Sequence, residues 1–249
     1  MASVTTKRIV SRPRAFVRVQ GPDAREYLQR MLSNDVEALA VGASCDAMLL
    51  TAKARVIAPL RVLRRGNDDF LLSTEPELGD RVRTELLRAR FAAKAEIEPE
   101  AHEAWLVLGD GEVIDSQPEG DEVDEEAYER WRIENAIPRW GREIDDQVLP
   151  AEAGLTETHV DFGKGCYPGQ EPIARQHYRG KVNRRLRVLE TEGLVDPGAD
   201  VVVGEKVVGR ITSAVPGLAL GYVRTEVPDD AELRIGDRRA RLHWVVPRP

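Results

Sequence analysis

Residues 161–172 read Asp161-Phe162-Gly163-Lys164-Gly165-Cys166-Tyr167-Pro168-Gly169-Gln170-Glu171-Pro172, gathering a thiol, an amine, a phenol, an amide and two carboxylates among glycines and prolines. So few apolar side chains leave little to bury, and packing alone does not account for such a run. The chemistry on offer is that of a nucleophilic or metal-binding sulfur. Pro172 suits the first turn of a helix, expected to run toward Gln176, which sets Cys166 just ahead of a helix N-terminus, two residues from Lys164 and near Arg175. A positive helix end and neighbouring cations favour the anionic form of a thiol. The alternative is a small buried thiol in a tight turn, because free cysteine packs as a small hydrophobe.

The elements that must position this segment alternate between strand and helix. Residues 14–20 alternate as a strand and stop at Gly21-Pro22, after which Asp23 can cap a helix with Ala24, Tyr27, Leu28, Met31 and Leu32 on one face. Residues 45–51, 55–64 and 70–73 read as strands, with a turn over residues 65–68. A helix is expected over 77–90, carrying Leu78, Val82, Leu86 and Leu87, followed by strands over 94–98 and 105–108. Residues 109–122 are polar, acidic and glycine-containing, and are expected to form a flexible surface connection. A helix capped by Asp124 should run to Ala136, with Ala127, Trp131 and Glu134 along one side and Pro138 beyond its end. The absence of a long parallel βαβ series favours a mixed α+β sheet over a dinucleotide-binding fold, and no GxGxxG or GxxxxGK[ST] run follows any strand. Beyond Glu190 short apolar strands, the last over 239–246, separated by Gly, Pro and Asp turns read as a small antiparallel β-barrel. Two domains follow, 1–183 and 184–249.

Composition narrows the function classes. The 249 residues are 42% hydrophobic and 32% charged, the balance of a globular protein with ample surface to bury. No run approaches the roughly 20 apolar residues of a membrane helix, and residues 1–10 lack the apolar core of a secretory signal, so a cytoplasmic location is expected. Cys45 and Cys166 are the only cysteines. They form no CxxC, which excludes a structural zinc site and a cluster held by this chain's thiolates alone. Cys45, in an alternating segment, reads as packing. The net charge of -7 argues against general nucleic-acid binding. Charge is nonetheless segregated: residues 119–129 are acidic, whereas Arg175, Arg179, Lys181, Arg184, Arg185 and Arg187 crowd into a basic run. Each run is either a solvated face or, for the basic one, a phosphate contact; Tyr178 is its only aromatic residue, which leaves base stacking without support.

A second polar group lies upstream. Arg132 and Glu134, in the segment 131–144, and Glu152, in Leu149-Pro150-Ala151-Glu152, could serve a ligand with a donor-rich edge and carboxylates, or form a surface ion pair.

The run KGCYPGQE resembles the KGCYxGQE signature of the YgfZ-type folate-binding proteins, relatives of the glycine-cleavage aminomethyltransferase (T-protein). Three further stretches are similar to that family: Gly21-Pro22-Asp23-Ala24 through Ser33-Asn34-Asp35, the segment 131–155, and Gly209-Arg210-Ile211-Thr212-Ser213 with residues 218–224 of the C-terminal barrel. The resemblance thus spans nearly the whole chain. It implies a tetrahydrofolate-binding protein that supports iron-sulfur cluster assembly or repair, including the clusters of tRNA-modifying enzymes, with no permanently bound metal. It also implies that Cys166 is the functional thiol, with Lys164 beside it, and that Arg132, Glu134, Glu152, Tyr167, Gln170 and Glu171 contribute to a folate site facing a channel between the domains. Implied partners are reduced folate, iron-sulfur client or assembly proteins and a weak RNA contact through the basic run.

Two departures matter. The family's glycine after Glu134 is replaced by Ala136, so the backbone there is expected to differ. Where the segment 51–62 aligns with the T-protein stretch that supplies its essential acidic residue, this chain has Ala58 and Pro59. Neither can orient or deprotonate an amine, which disfavours aminomethyl transfer. Folate-dependent one-carbon transfer and a non-catalytic RNA- or protein-binding module remain the alternatives.

Overall fold

The structure, a computed structural model, describes residues 6–180 and 182–243. Strands β1 (Arg8–Ser11) and β2 (Ala15–Gln20) lead into helix α1 (Ala24–Met31), which is followed by β3 (Ser44–Leu50), β4 (Val56–Arg64) and β5 (Asp69–Thr74). A 3-10 turn, Pro76–Leu78, enters α2 (Gly79–Ala89), and β6 (Glu96–Glu100) completes a five-stranded antiparallel sheet ordered β3-β4-β5-β2-β6. The period-two alternation of β2 explains its two faces. Val17 and Val19 point to α1 and α2 and join Leu28, Val82 and Leu86 in the main core. Phe16 points the other way, against Leu71 and Ala104. The Tyr27 hydroxyl donates to the Leu86 carbonyl at 2.6 Å and fixes α1 against α2.

The opposite face of the sheet is covered by a second one, ordered β8-β7-β1-β9, from β1, β7 (Ala104–Val107), β8 (Gly111–Ile114) and β9 (Asp121–Glu122). The expected loop over 109–122 is therefore partly ordered: β8 forms a hairpin with β7, and β9 runs parallel to β1. Those strands are short, and β1, on which β9 depends, carries only two buried residues, Ile9 and Val10.

Helix α3 (Glu125–Glu134) starts where Asp124 accepts from the Ala127 N–H at 2.8 Å, the expected cap. Its buried face differs from the expected one. Tyr128, Arg132 and Ile133 are buried, Ala127 and Trp131 are half-buried and Glu134 is exposed. An arginine occupies the core position because partners for its charge are built around it, as described below. The helix stops before Pro138, at Asn135, and Ala136 takes φ 49. The left-handed turn that glycine favours is thus kept without the glycine, at a cost of about 1–2 kcal/mol.

Two short helices, α4 (Thr156–His159) and α5 (Gln170–Arg179), precede the C-terminal domain. There β10 (Arg184–Thr191), β11 (Asp200–Val203), β12 (Lys206–Val215), β13 (Leu218–Arg224), β14 (Leu233–Ile235) and β15 (Arg238–His243) close into a barrel ordered β10-β13-β12-β11-β14-β15. Residues 244–246, expected to continue the last strand, lie outside the described residues. Closure removes free strand edges and encloses a core of Leu189, Val201, Ile211, Val223 and Leu233. A cluster of Ile133 with Val188, Val215 and Leu220 seats the barrel on α3. Among the described residues no helix is long and apolar enough to cross a membrane.

Candidate functional site: a docked signature loop and a tryptophan-lined cavity

The signature is held by backbone turns and by Lys164. The Asp161 carboxylate accepts from the N–H groups of Gly163 (2.6 Å) and Lys164 (3.0 Å), which turns the chain inward. The Lys164 ammonium then donates to the carbonyls of Gln29 (2.7 Å), Leu32 (2.6 Å) and Asn34 (2.8 Å). These lie at the C-terminal end of α1, where carbonyls lack helical partners and a cation is favoured. Burial pushes the ammonium down to about 8, against the pull of Asp35 and Asp161. Ser33 adds a second tie, donating its hydroxyl to the His159 carbonyl at 2.6 Å and accepting from the Met48 N–H at 2.8 Å. Two motifs some 130 residues apart, Ser33-Asn34-Asp35 and the signature, are therefore one interlocked structure.

This geometry corrects the expectation for Lys164. Its three protons are all engaged by carbonyls, so it anchors the loop rather than attending the Cys166 thiol. Tyr167 is buried beneath it, the ammonium 5.4 Å from the ring centroid, and burial pushes its hydroxyl up to about 12. Gly169 opens α5 at φ 83, and a Cβ there would meet the Thr51 carbonyl oxygen at 2.7 Å. Only glycine lets α5 sit this close to the β3–β4 turn. The helix starts at Gln170, earlier than expected, and continues to Arg179, with Gln170 half-buried and Glu171 exposed. Cys166 is exposed, whereas Cys45 packs against the main core, where burial, with Asp46 adding, pushes its thiol up to about 11. Tyr167 joins Trp140, Ile144, Leu186 and Tyr222 in a cluster between the domains, while Cys166, Tyr167, Gln170 and Glu171 are not among the residues lining the two large cavities, a central one described below and one on the outside of the barrel.

Arg132 is completely buried, and all five of its N–H groups are engaged. It donates twice to Glu129 (3.0 and 2.8 Å), to the Ile137 carbonyl (2.8 Å), to Glu143 (2.8 Å) and to the Ser213 hydroxyl on the barrel (2.8 Å). Ser213 in turn donates to Glu143 at 2.6 Å, and the Tyr222 hydroxyl to the Glu143 carbonyl at 2.7 Å. Burial acts to raise the Glu129 carboxyl, but Arg132, joined by Arg139, outweighs it and holds it below the usual carboxylate range. Arg132 is thus an interdomain cross-link with no donor left for a ligand. Glu134 points outward, 3.9 Å from Arg130, and lines neither cavity. Glu152 is the one expected ligand contact that does; it accepts from Arg184 at 3.0 Å.

The central cavity, about 960 Å³, lies between the two sheets, α3 and the barrel. Trp105, Trp131 and Trp140 line it, three of the four tryptophans in the sequence. Its charged groups are mostly paired: Arg14 with Glu75 and Glu112, Arg61 with Asp46, Arg187 with Asp229. Among the described lining residues two charges lack an ionic partner. Glu157, opening α4, accepts only from the Thr156 hydroxyl at 3.1 Å, and Arg185, on β10, has no partner. Sequence reasoning did not select Glu157, because no local pattern marks it. Arg185 was read only as part of the basic run. Pro59 also lines the cavity, beyond the β4–β5 ladder that begins at Arg61, while Ala58 is buried. Pro59 is thus an apolar part of the cavity wall.

The basic run divides. Arg184 and Arg187 are paired with Glu152 and Asp229, Arg175 and Arg185 are exposed, and Lys181 and the side chain of Arg179 lie outside the described residues. Tyr178 is not isolated: Phe162 stacks on His177 at 4.0 Å between centroids, and Tyr178 meets both edge-on.

Comparison with known proteins fixes the architecture. Residues 183–247 match the family model of the CAF17 C-terminal beta-barrel domain. The crystal structure of glycine cleavage system aminomethyltransferase T from Bartonella henselae superposes with a TM-score of 0.83 at 17% identity, over 97% of this chain and 86% of that one. The chain has the aminomethyltransferase fold, closed by a CAF17-type barrel. An aminomethyltransferase of Nostoc sp. is 31% identical over 216 residues, 86% of this chain, which spans about half (48%) of that relative's length. The mitochondrial iron-sulfur cluster assembly factor IBA57 of Mus musculus is 25% identical over 275 aligned positions, 86% of this chain and 76% of that protein.

Proposed function

We propose that the central cavity binds a reduced folate, tetrahydrofolate or a derivative, and that the protein supports iron-sulfur cluster assembly, including clusters of tRNA-modifying enzymes, in the cytoplasm. The observation that carries the ligand class is the cavity wall itself. Three indole rings suit a planar heterocycle, and the two charges without ionic partners suit the two ends of a folate. The Glu157 carboxylate can accept from the amino-pyrimidinone edge of the pterin, and the Arg185 guanidinium can bind a glutamate carboxylate. Glu152 contributes beside them, while Arg132 and Glu134 do not.

The iron-sulfur role rests on similarity to assembly factors named IBA57 and on the exposed Cys166, which we assign as the functional thiol. Client or assembly proteins dock at that thiol, outside the folate cavity. Aminomethyl transfer is the weaker reading, because Pro59 and Ala58 leave no carboxylate at the aligned position and nearby Asp46 is paired with Arg61. An RNA contact gains the Phe162–His177–Tyr178 ring cluster beside Arg175, but it is secondary to the folate reading.

Calorimetric titration with tetrahydrofolate and its 5-formyl form tests the proposal. Binding is expected, weakened at least about tenfold in Glu157→Gln, the effect of losing one charge-assisted hydrogen bond. Absence of binding by both forms overturns it.

A further inference from the structure

His102, between β6 and β7, has a carboxylate at each ring nitrogen: Nδ1 lies 2.7 Å from Asp115 and Nε2 lies 2.9 Å from Glu100. A carboxylate only accepts and a neutral imidazole carries one N–H, so both contacts are hydrogen bonds only when the ring is the doubly protonated cation. The side chain is 15% exposed, and its ring meets Phe16 of β2 edge-on at 5.1 Å between centroids.

The two carboxylates are secured differently. Glu100, at the end of β6, accepts from Arg65 at 2.8 and 3.2 Å, with Arg18 3.4 Å away and Asp69 bridging the two arginines. Arg65, with His102 adding, holds the Glu100 carboxyl down at about 2. Asp115 follows β8, is 57% exposed, and has His102 as its one cationic bond partner among the described residues. Its φ of 59 is a left-handed backbone, which costs energy in a residue with a side chain. The Asp115 carboxylate also accepts from the Glu103 N–H at 3.2 Å, and its own N–H donates to the Glu103 carbonyl at 2.9 Å, so Asp115 closes the base of the β7–β8 hairpin.

That hairpin is a wall of the central cavity, which Trp105, Leu106 and Val107 of β7 and Gly111 and Glu112 of β8 line. β8 is an edge strand paired with β7 alone. Its middle is tied to the five-stranded sheet through Glu112, which accepts from Arg14 and Ser73. A guanidinium and a hydroxyl keep their protons across the neutral range, whereas an imidazole does not.

From this arrangement we infer that His102 is a proton-operated latch: charged, it fastens the base of the hairpin to the five-stranded sheet, and neutral, it releases Asp115 and with it one wall of the central cavity. The charges facing the ring are Glu100 and Asp115 at bonding distance, with Arg65, Arg18 and Asp69 behind Glu100. Burial acts to lower the imidazole pKa, but the bonds to Glu100 and Asp115 outweigh it and hold it above the ordinary value of about 6.5. The latch contribution is therefore complete below about pH 6.5 and is lost as pH rises through the raised value. Deprotonation turns a lone pair toward one carboxylate. Glu100 keeps its arginines, so the exposed Asp115 is the group that turns to solvent. The inference is independent of which ligand fills the cavity.

Amide hydrogen exchange of the full chain tests this, followed by mass spectrometry from about pH 5.5 to about pH 8.5 and expressed as protection factors, which removes the intrinsic pH dependence of exchange. Protection over residues 104–114 is expected to fall about tenfold across that range, the loss of one charge-assisted hydrogen bond, while residues 15–20 of β2 stay unchanged. Asp115→Asn keeps an acceptor for the Glu103 N–H and tolerates the left-handed backbone, so it should fold and show a fall of less than about twofold. Proton NMR of the His102 ring should give a midpoint above about 6.5 in wild type that moves down in Asp115→Asn. Protection independent of pH in wild type overturns the latch. The same fall in Asp115→Asn as in wild type assigns the pH dependence to another group and overturns it too, as does a wild-type His102 midpoint at or below about 6.5.

Discussion

The signature loop and the central cavity handle polar groups in opposite ways. In the loop two charged groups are turned inward and satisfied, Asp161 by two N–H groups and Lys164 by three carbonyls, Gly169 is pressed against Thr51, and the Cys166 thiol is left facing out. In the cavity, residues from both sheets, α3, α4 and the barrel are assembled so that two charges face an open space without ionic partners. The local motif is thus docked as one unit, whereas the cavity is lined by residues drawn from distant parts of the chain, Pro59, Trp131, Glu157 and Arg185 among them.

Substitutions that sharpen this contrast can be ranked. The largest effect is expected at the cross-link that closes the cavity. Arg132→Met leaves Glu143 buried without its cation and should lower unfolding free energy by about 3 to 5 kcal/mol in urea denaturation. A change below about 1 kcal/mol would mean the barrel is held by apolar contacts alone. Next comes Lys164→Met, which strips three carbonyls of a charged donor; a loss of about 2 to 3 kcal/mol is expected from the same measurement. A variant as stable as wild type with weakened folate binding would instead return Lys164 to the ligand site. The smallest effect, and a stabilising one, is expected for Ala136→Gly. It relieves the left-handed φ 49 but removes a methyl group packed near Ile133, for a net gain of about 0.5 kcal/mol seen as a raised denaturation midpoint.

The α+β class and the barrel were legible because alternation in β2, the helical spacing of Val82 and Leu86, and the Gly-Pro-Asp turns after Glu190 are local signals. So was the prominence of the signature, though not its orientation. Lys164 stands two residues from Cys166 in sequence, but the turn made by Asp161 sends its side chain toward α1, and no local pattern reports a partner 130 positions away. The buried face of α3 was misjudged for a related reason. Trp131 reads as core and Arg132 as surface unless Glu129, Glu143 and Ser213 are known to converge on the guanidinium. β1 and β9, four and two residues long, gain their stability from neighbours rather than from their own sequence. Glu157 and Arg185 could not be selected, since what distinguishes them is the lack of an ionic partner, a property visible only in three dimensions.

The separation of thiol and ligand chamber is tested most directly by titrating 5-formyltetrahydrofolate into Cys166→Ala by calorimetry. Affinity within about twofold of wild type is expected, because Cys166 lines neither cavity and an exposed truncation should alter stability by no more than about 0.5 kcal/mol. A folded Cys166→Ala protein that no longer binds the folate would contradict the account by placing the signature thiol in the ligand site.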